Sequence, residues 1–220
     1  MATPSGRLDV IRHVARSIPK DVAGGCPRVA VDGADGAGKT TFADELAGAV
    51  RVLGRPVVRV SLDDFHNVRR VRYRQGRESP DGFWRDSYDY ARFQRDVLEP
   101  FGPAGSRRYR AAAHDVRTDA ALDVQQETAQ PRTVLIVDGL FLHRDELVRA
   151  WDLSVFLDVP FTATAQRMAQ RDGTDPDPDH PSMRRYVEGQ RIYFRCCSPQ
   201  RRATILIDNR DYDAPRVIRG

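Results

Sequence analysis

The sequence is poor in cysteine and lysine and has no long apolar run. Its three cysteines, Cys26, Cys196 and Cys197, form neither a metal-binding spacing nor an even disulfide framework, which predicts a reduced, cytoplasmic protein. No stretch is long and apolar enough to span a bilayer, so we expect no membrane association. Met1 to Arg7 lack the apolar core of a signal peptide, so we expect no export signal.

Lysine occurs only at Lys20 and Lys39, so arginine supplies almost all of the positive charge. The formal net charge of +4 comes from 35 basic and 31 acidic residues. Two interpretations stay open: a solvated arginine-rich surface, or cations that shield the phosphates of a nucleotide. Nucleic-acid binding is disfavoured because no long basic stripe is present. The sequence leaves the oligomeric state open, a homo-oligomer included.

One stretch carries a clear chemical signature. Residues 33–41 fit the phosphate-binding loop pattern G-x-x-x-x-G-K-[ST], between an apolar strand at 28–32 and an amphipathic helix at 41–50. Backbone N–H groups of such a loop bind phosphate, the lysine reaches the β- and γ-phosphates, and the hydroxyl holds Mg²⁺. A ligand-free glycine-rich turn is disfavoured because both flanking elements are present. The predicted nucleotide-binding residues are Gly33, Ala34, Asp35, Gly36, Ala37, Gly38, Lys39, Thr40 and Thr41.

Apolar segments near residues 29, 57, 133, 153 and 204 are separated by helical or crossover segments. This alternation predicts one α/β domain over residues 1–220 with a P-loop NTPase fold, in which helices flank a five-stranded parallel sheet on both faces. We expect an irregular substrate-binding insert at about 67–130 and a helical lid at about 165–195.

Two predicted strands end in acids. The strand at 57–62 runs into Asp63-Asp64-Phe65-His66, and the strand at 133–137 ends at Asp138. Ligands of open α/β sheets bind beyond the carboxyl ends of the strands. One of the two carboxylates Asp63 and Asp64 could therefore accept a proton from a hydroxyl or hold Mg²⁺ through water, and Asp138 fits the second Mg²⁺-side carboxylate of P-loop enzymes. A plain acidic turn is the alternative at residues 63 and 64.

The predicted insert and lid carry further candidates. A helix at 161–171 bears Arg167 and Arg171 on one face, a proline-rich loop follows, and a second helix spans about 182–194. This arrangement predicts a phosphate-covering lid, with a surface helical hairpin as the alternative. The aromatic residues of the insert could stack on a base or could form a small core, and one of its acids could bind a ribose diol. These residues are Asp81, Phe83, Trp84, Asp86, Tyr88 and Tyr90.

Together these segments resemble the uridine kinase and phosphoribulokinase group of P-loop kinases along nearly the whole chain. Beside the loop, residues 63–66 are similar to the group's D-x-F-[YH] motif, and Asp138-Gly139-Leu140-Phe141 is similar to E-G-[IL]-x. Residues 167–172 are similar to the R-x-x-x-R-D motif of the lid helix, and residues 204–208 to the closing strand.

The resemblance implies ATP- and Mg²⁺-dependent phosphorylation of a small-molecule hydroxyl, with the 5′-hydroxyl of uridine or cytidine as the leading acceptor. It implies a catalytic set of Lys39, Asp63, Arg167 and Arg171, in which Asp63 is the general base. The implied metal-binding residues are Thr40, Asp63 and Asp138.

The acceptor region departs from the group. Its F-D-H-P-D segment corresponds to residues 82–89, without the His-Pro, and its Y-D-F-x-x-H segment to residues 113–116. The candidate acceptor-binding residues are His66, Asp86, Tyr88 and His114. The alternatives are therefore a kinase of another metabolite, such as pantothenate, a sugar or a specialised metabolite, and a nucleotide-dependent regulatory ATPase.

Overall fold

The computed structural model describes residues 6–220. Residues 1–5, on which the signal-peptide expectation partly rests, lie outside the described residues. Within the described part of the chain, no helix has the length and apolar character needed to cross a bilayer.

The helices and strands follow the alternation expected from the sequence. The helices are α1 (Arg7–Ser17), α2 (Lys39–Val52), α3 (Arg69–Arg72), α4 (Pro80–Asp86), α5 (Tyr90–Phe93), α6 (Glu99–Phe101), α7 (Phe161–Asp172), α8 (Arg184–Cys197) and α9 (Pro199–Arg202). The strands are β1 (Arg28–Gly33), β2 (Val57–Ser61), β3 (Arg108–Tyr109), β4 (His114–Asp115), β5 (Ala120–Ala121), β6 (Glu127–Thr128), β7 (Val134–Asp138), β8 (Leu153–Asp158), β9 (Ile205–Asp208) and β10 (Arg216–Arg219).

Within residues 6–220 the central sheet has six strands in the order β10-β9-β8-β1-β7-β2. The five strands from β9 to β2 pair in parallel, which confirms the predicted parallel sheet and the doubly wound α/β fold. The sixth strand, β10, pairs antiparallel with β9 at the edge and is absent from the sequence-based prediction. Its sequence holds two apolar residues between arginines, so it carries little hydrophobic signal.

Alternate residues of the central strands face two separate cores, as the two-residue period of a strand requires. Val29 and Val31 of β1 pack with α1 and α2 on one face. Ala30 faces the other side, where the insert and α8 supply the packing residues. Strands β1 and β7 are almost wholly buried, which places the loop after β1 at the middle of the sheet edge.

The insert supplies much of the second core. Phe83, Trp84 and Tyr88 are each at most 7% exposed, and Phe141 packs edge-on against the first two at 5.5 and 4.9 Å between ring centroids. The core interpretation of these aromatic residues is therefore correct, and base stacking by their faces is not supported. Two short antiparallel pairs, β3 with β6 and β4 with β5, complete the insert.

The two helices of the predicted lid differ in their packing. Helix α8 lies against α4, and a Cβ on its Gly189 would come within 2.7 Å of the Phe83 ring. Gln190 and Tyr193 of the same helix are buried. Helix α8 is thus part of the packed body and not a surface hairpin, whereas α7 carries Arg167 and Arg171 beside the loop that follows β1.

Candidate active site

The loop after β1 has a turn that requires glycine at two positions. Gly36 and Gly38 have φ angles of 78° and 87°, a region that side chains disfavour. A Cβ on Gly36 would also lie 2.7 Å from the Thr164 carbonyl oxygen of α7. The loop leads directly into α2, so backbone N–H groups and the helix dipole favour a phosphate there. The buried Lys39 Nζ donates to the Ala34 carbonyl at 2.9 Å.

Polar contacts connect this loop to β7. Thr40 Oγ1 donates to Asp138 Oδ2 at 2.6 Å, and Arg59 Nη2 donates to Asp138 Oδ1 at 2.9 Å. Asp138 is 2% exposed. Because both of its oxygen atoms already accept hydrogen bonds, Asp138 is better suited to contact a cation through water than directly.

The donor set fits a magnesium ion that arrives with a nucleotide. Among residues 6–220, no three His, Cys, Asp or Glu side chains gather into a metal-binding group. Mg²⁺ is commonly held by one or two protein oxygens together with phosphate oxygens and water. The adjacent Thr40 hydroxyl and Asp138 carboxylate offer hard oxygen atoms of this kind.

The strand register brings the ends of three strands into one row. Val31 of β1 pairs with Asp138 of β7, which pairs with Ser61 of β2. Asp63 follows in the 3₁₀ turn Leu62–Phe65. Neighbouring strands lie about 4.8 Å apart, so this turn is on the same sheet edge as the P-loop, on the order of 10 Å from it.

Asp63 is exposed and is held by two of the candidate acceptor-binding residues. The hydroxyl of the buried Tyr88 donates to Asp63 Oδ1 at 2.8 Å. Burial, with the Asp63 charge, raises the pKa of Tyr88 well above its ordinary value, so this phenol stays a donor. His66 Nδ1 donates to the Asp63 carbonyl at 2.7 Å. Burial lowers the pKa of His66, so the imidazole is neutral at pH 7.

Asp64 adds to the negative charge at this edge. Partial burial raises the pKa of the Asp64 carboxyl, and the carboxylates of Asp63, Asp138 and Asp115 raise it further. A divalent cation or a cationic group bound at this edge would relieve the repulsion among these carboxylates.

The two arginines of α7 have different partners. Arg167 Nη2 donates to the carbonyl oxygens of Asn209 and Arg210 at 3.0 and 2.9 Å, which ties the segment after β9 to the region of the P-loop. Arg171 is 62% exposed and pairs with Asp172 at 2.6 Å and, more loosely, with Asp35 of the P-loop at 3.8 Å. Arg171 is therefore the more exposed of the two, and its partners are side chains at the surface and not backbone carbonyls.

Asp86 and His114 are buried inside the insert. Asp86 is 2% exposed and accepts hydrogen bonds from Arg74 on both oxygens and from Gln75 on Oδ2. His114 is 5% exposed, and its Nε2 lies 3.2 Å from Asp119 Oδ1. Both side chains are therefore bonded or packed within the insert, and their contact with the acceptor stays a prediction.

A buried network behind the P-loop is missing from the sequence-based prediction. The fully buried Asp32 accepts from the Gly33 amide at 2.7 Å, from His143 Nδ1 at 2.8 Å and from the Tyr193 hydroxyl at 2.5 Å. The His143 amide also donates to it at 3.1 Å. Burial, then the Asp32 charge, raises the pKa of Tyr193 well above its ordinary value. One carboxylate therefore joins the start of the P-loop to α8.

Two buried amides hold the P-loop from either side, and neither belongs to a recognisable motif. Gln190 Oε1 of α8 accepts from the Asp35 amide at 2.7 Å. Asn209 Nδ2 donates to the Ala37 carbonyl at 2.8 Å. The only sequence signal for these contacts is polarity at helix or strand-end positions, because their partners are distant in the chain.

This geometry defines an α/β nucleotide-binding protein of the P-loop class, and solved structures share the fold. A protein described as a possible uridine kinase from Bacillus stearothermophilus is 22% identical with a TM-score of 0.70, over 91% of this chain and 96% of that chain. One described as a candidate fructose transport system kinase from Silicibacter sp. TM1040 is 24% identical with a TM-score of 0.69, over 85% and 93%. Phosphoribulokinase from Rhodobacter spheroides is 18% identical with a TM-score of 0.57, over 84% and 71%.

The AAA domain family matches residues 29–192, which include the P-loop, the Asp63 turn and α7. The chain belongs to this family. Its fold is that of P-loop kinases of the uridine kinase and phosphoribulokinase type, which confirms the resemblance seen in the sequence. No curated protein matches the sequence.

Proposed function

We propose that the protein is an ATP-dependent kinase that transfers the γ-phosphoryl group to the hydroxyl of a small molecule. One observation carries this proposal: an exposed carboxylate, Asp63, lies on the same sheet edge as a P-loop whose Thr40 is bonded to Asp138. A nucleotide-dependent switch would need only the P-loop and Asp138. A kinase also needs a base for the acceptor hydroxyl, and the exposed Asp63, oriented by Tyr88, is suited to that role.

In the proposed reaction, the acceptor oxygen attacks the γ-phosphorus while its proton passes to the Asp63 carboxylate. The bond from the γ-phosphorus to the bridging oxygen breaks, and ADP leaves with the electron pair. Tyr88 holds the carboxylate in orientation through its hydroxyl at 2.8 Å, which contributes positioning. The neutral imidazole of His66 adds no positive charge that would weaken the base.

Charge neutralisation completes the proposed role of the site. Lys39 would leave the Ala34 carbonyl and meet the β- and γ-phosphates, and Arg171 would approach them from α7. Magnesium, when bound by Thr40 and through Asp138, would neutralise negative charge on the phosphate oxygens.

A nucleoside 5′-hydroxyl, such as that of uridine or cytidine, is the proposed acceptor. Support comes from the strand-end and lid motifs and from the description of one structural neighbour as a possible uridine kinase. The position of Asp86 favours a second candidate, a kinase of a different small metabolite. Its carboxylate is already bonded to Arg74 and Gln75, so it is not available to a ribose in the described arrangement.

The test is a coupled ADP-release assay over uridine, cytidine, pantothenate, sugars, sugar phosphates and nicotinamide riboside. We expect acceptor-stimulated turnover, which Asp63→Asn lowers at least about a hundredfold while ATP affinity is kept. Asp9→Asn is the matched control, because Asp9 is a largely exposed acid of α1, in a loose pair with Arg12 at 3.9 Å. ADP release that no acceptor stimulates, and that Asp63→Asn leaves unchanged, would contradict the proposal and favour a regulatory ATPase.

A further inference from the structure

A cavity lies at the amino ends of the parallel strands, at the opposite end of the sheet from the P-loop. Its walls include residues 54–56, which precede β2, residues 130–132, which precede β7, and the end of α1 with the residues that follow it. The cavity volume is about 780 Å³. The P-loop follows the carboxyl end of β1, so the length of a five-residue strand, on the order of 16 Å, separates the two places.

The charge of this cavity is one-sided. Arg16, Lys20, Arg55 and Arg132 line it, and no acidic residue of the described chain does. Lys20 is one of only two lysines in the protein. Nearby Asp21 pairs with Arg132 at 3.4 Å, but the two side chains are 80% and 73% exposed, so the pair neutralises little. In a protein with nearly equal numbers of acids and bases, this cavity has a local excess of positive charge.

Arg55 is the fixed part of the cavity wall. Its Nη2 donates to the Pro19 carbonyl at 2.7 Å and its Nη1 to the Ile18 carbonyl at 3.2 Å. These bonds hold the guanidinium beneath the end of α1 and partly out of water. Burial, and then the charge of Arg132, lowers the pKa of Arg55. An anion between the two guanidinium groups would offset their repulsion.

We propose that this cavity binds a phosphorylated small molecule. Its volume lies in the range of small-molecule sites, and a concave site of this size does not fit the flat surface of a duplex or a membrane. Four cations favour a ligand with two or more negative charges over a single carboxylate. Ile18, Leu53 and Pro131 form an apolar part of the wall on which a sugar or base can lie.

The test is calorimetric titration of the full-length protein with inorganic pyrophosphate. We expect two sites in the wild-type protein, the P-loop and the basic cavity. Lys39→Ala should remove the first site and keep the second. The double variant Lys20→Ala/Arg132→Ala should keep the first and weaken the second at least about tenfold. Arg51→Ala/Arg149→Ala, which removes the same charge from exposed positions outside the cavity, should keep both.

Each result decides the proposal. A single site in the wild-type protein that Lys39→Ala removes overturns it, and so does a double variant Lys20→Ala/Arg132→Ala that retains both sites. An equal loss in the Arg51→Ala/Arg149→Ala control also overturns it, because the binding would then follow net charge alone. The retained P-loop site reports that the variant is folded. Adenosine, which has no phosphate, should give no heat at the second site. None of these measurements depends on phosphoryl transfer.

Discussion

The hydroxyl of Tyr193 provides a direct test of the buried network that joins α8 to the P-loop. Tyr193→Phe deletes the donor that lies 2.5 Å from Asp32 Oδ2. The ring itself is 1% exposed and packs against Trp84 and Phe141, at 5.3 and 5.0 Å between centroids. Phenylalanine keeps that packing, so the substitution removes only the contacts of the hydroxyl: its donation to Asp32 and the hydrogen bond that it accepts from the His143 amide at 3.1 Å.

The expected magnitude follows from the charge of the acceptor. A hydrogen bond to a charged group contributes about 1.5–3 kcal/mol. In a domain of this size each kcal/mol shifts Tm by about 2–4 °C, so Tyr193→Phe should lower Tm by about 3–12 °C. Asp32→Ala should cost more, because it leaves buried donors of Gly33, His143 and Tyr193 without their acceptor.

The assay is thermal and urea unfolding, with Tyr186→Phe as the control. Tyr186 lies on the same helix but is 37% exposed, so its change should stay within about 0.5 kcal/mol. We also expect Tyr193→Phe to weaken ATP binding, because Asp32 holds the Gly33 amide at the start of the P-loop. A Tm equal to that of Tyr186→Phe would refute the account of this network.

Three further predictions concern the P-loop and its neighbours. Lys39→Ala should abolish turnover and weaken ATP binding. Lys39→Arg should show the same two defects, because a planar guanidinium does not replace the compact ammonium. The measurements are kcat and the Kd for ATP. Gly36→Ala should cost about 1–3 kcal/mol of unfolding free energy in urea, whereas Gly48→Ala, where a Cβ meets nothing within 4 Å, should be neutral or stabilising. The pKa of Asp64 in the folded protein is raised above its ordinary value. Ionisation of Asp64 therefore lowers the free energy of unfolding at pH values above the pKa in the unfolded chain, and has no effect below it. The Tm difference between Asp64→Asn and wild type should therefore grow more positive from pH 4 to pH 7, and a pH-independent difference would contradict this sign.

The parallel strands were predictable because buried strands are continuous apolar runs. Val134–Asp138, all of it buried, is the clearest example. The edge strand Arg216–Arg219 was not predictable, since it is short and polar and its pairing with β9 depends on tertiary context. The two-residue strands of the insert could not be predicted for the same reason.

The site divides in the same way. The P-loop and Asp63 could be predicted because each is a local motif at a strand end. The Asp32 network could not, since His143 and Tyr193 lie 111 and 161 residues away from it in the chain. The burial of Asp86 could not be predicted either, because Arg74 and Gln75 become its neighbours only when the insert folds.

In the proposed reaction, Asp63 accepts the proton of the attacking hydroxyl. The most direct measurement is the single-turnover rate of γ-phosphoryl transfer to a saturating acceptor, by rapid quench, in wild type and Asp63→Asn. We expect a rate at least about a hundredfold lower in the variant, with the same Kd for ATP. Equal rates in the two proteins would contradict it.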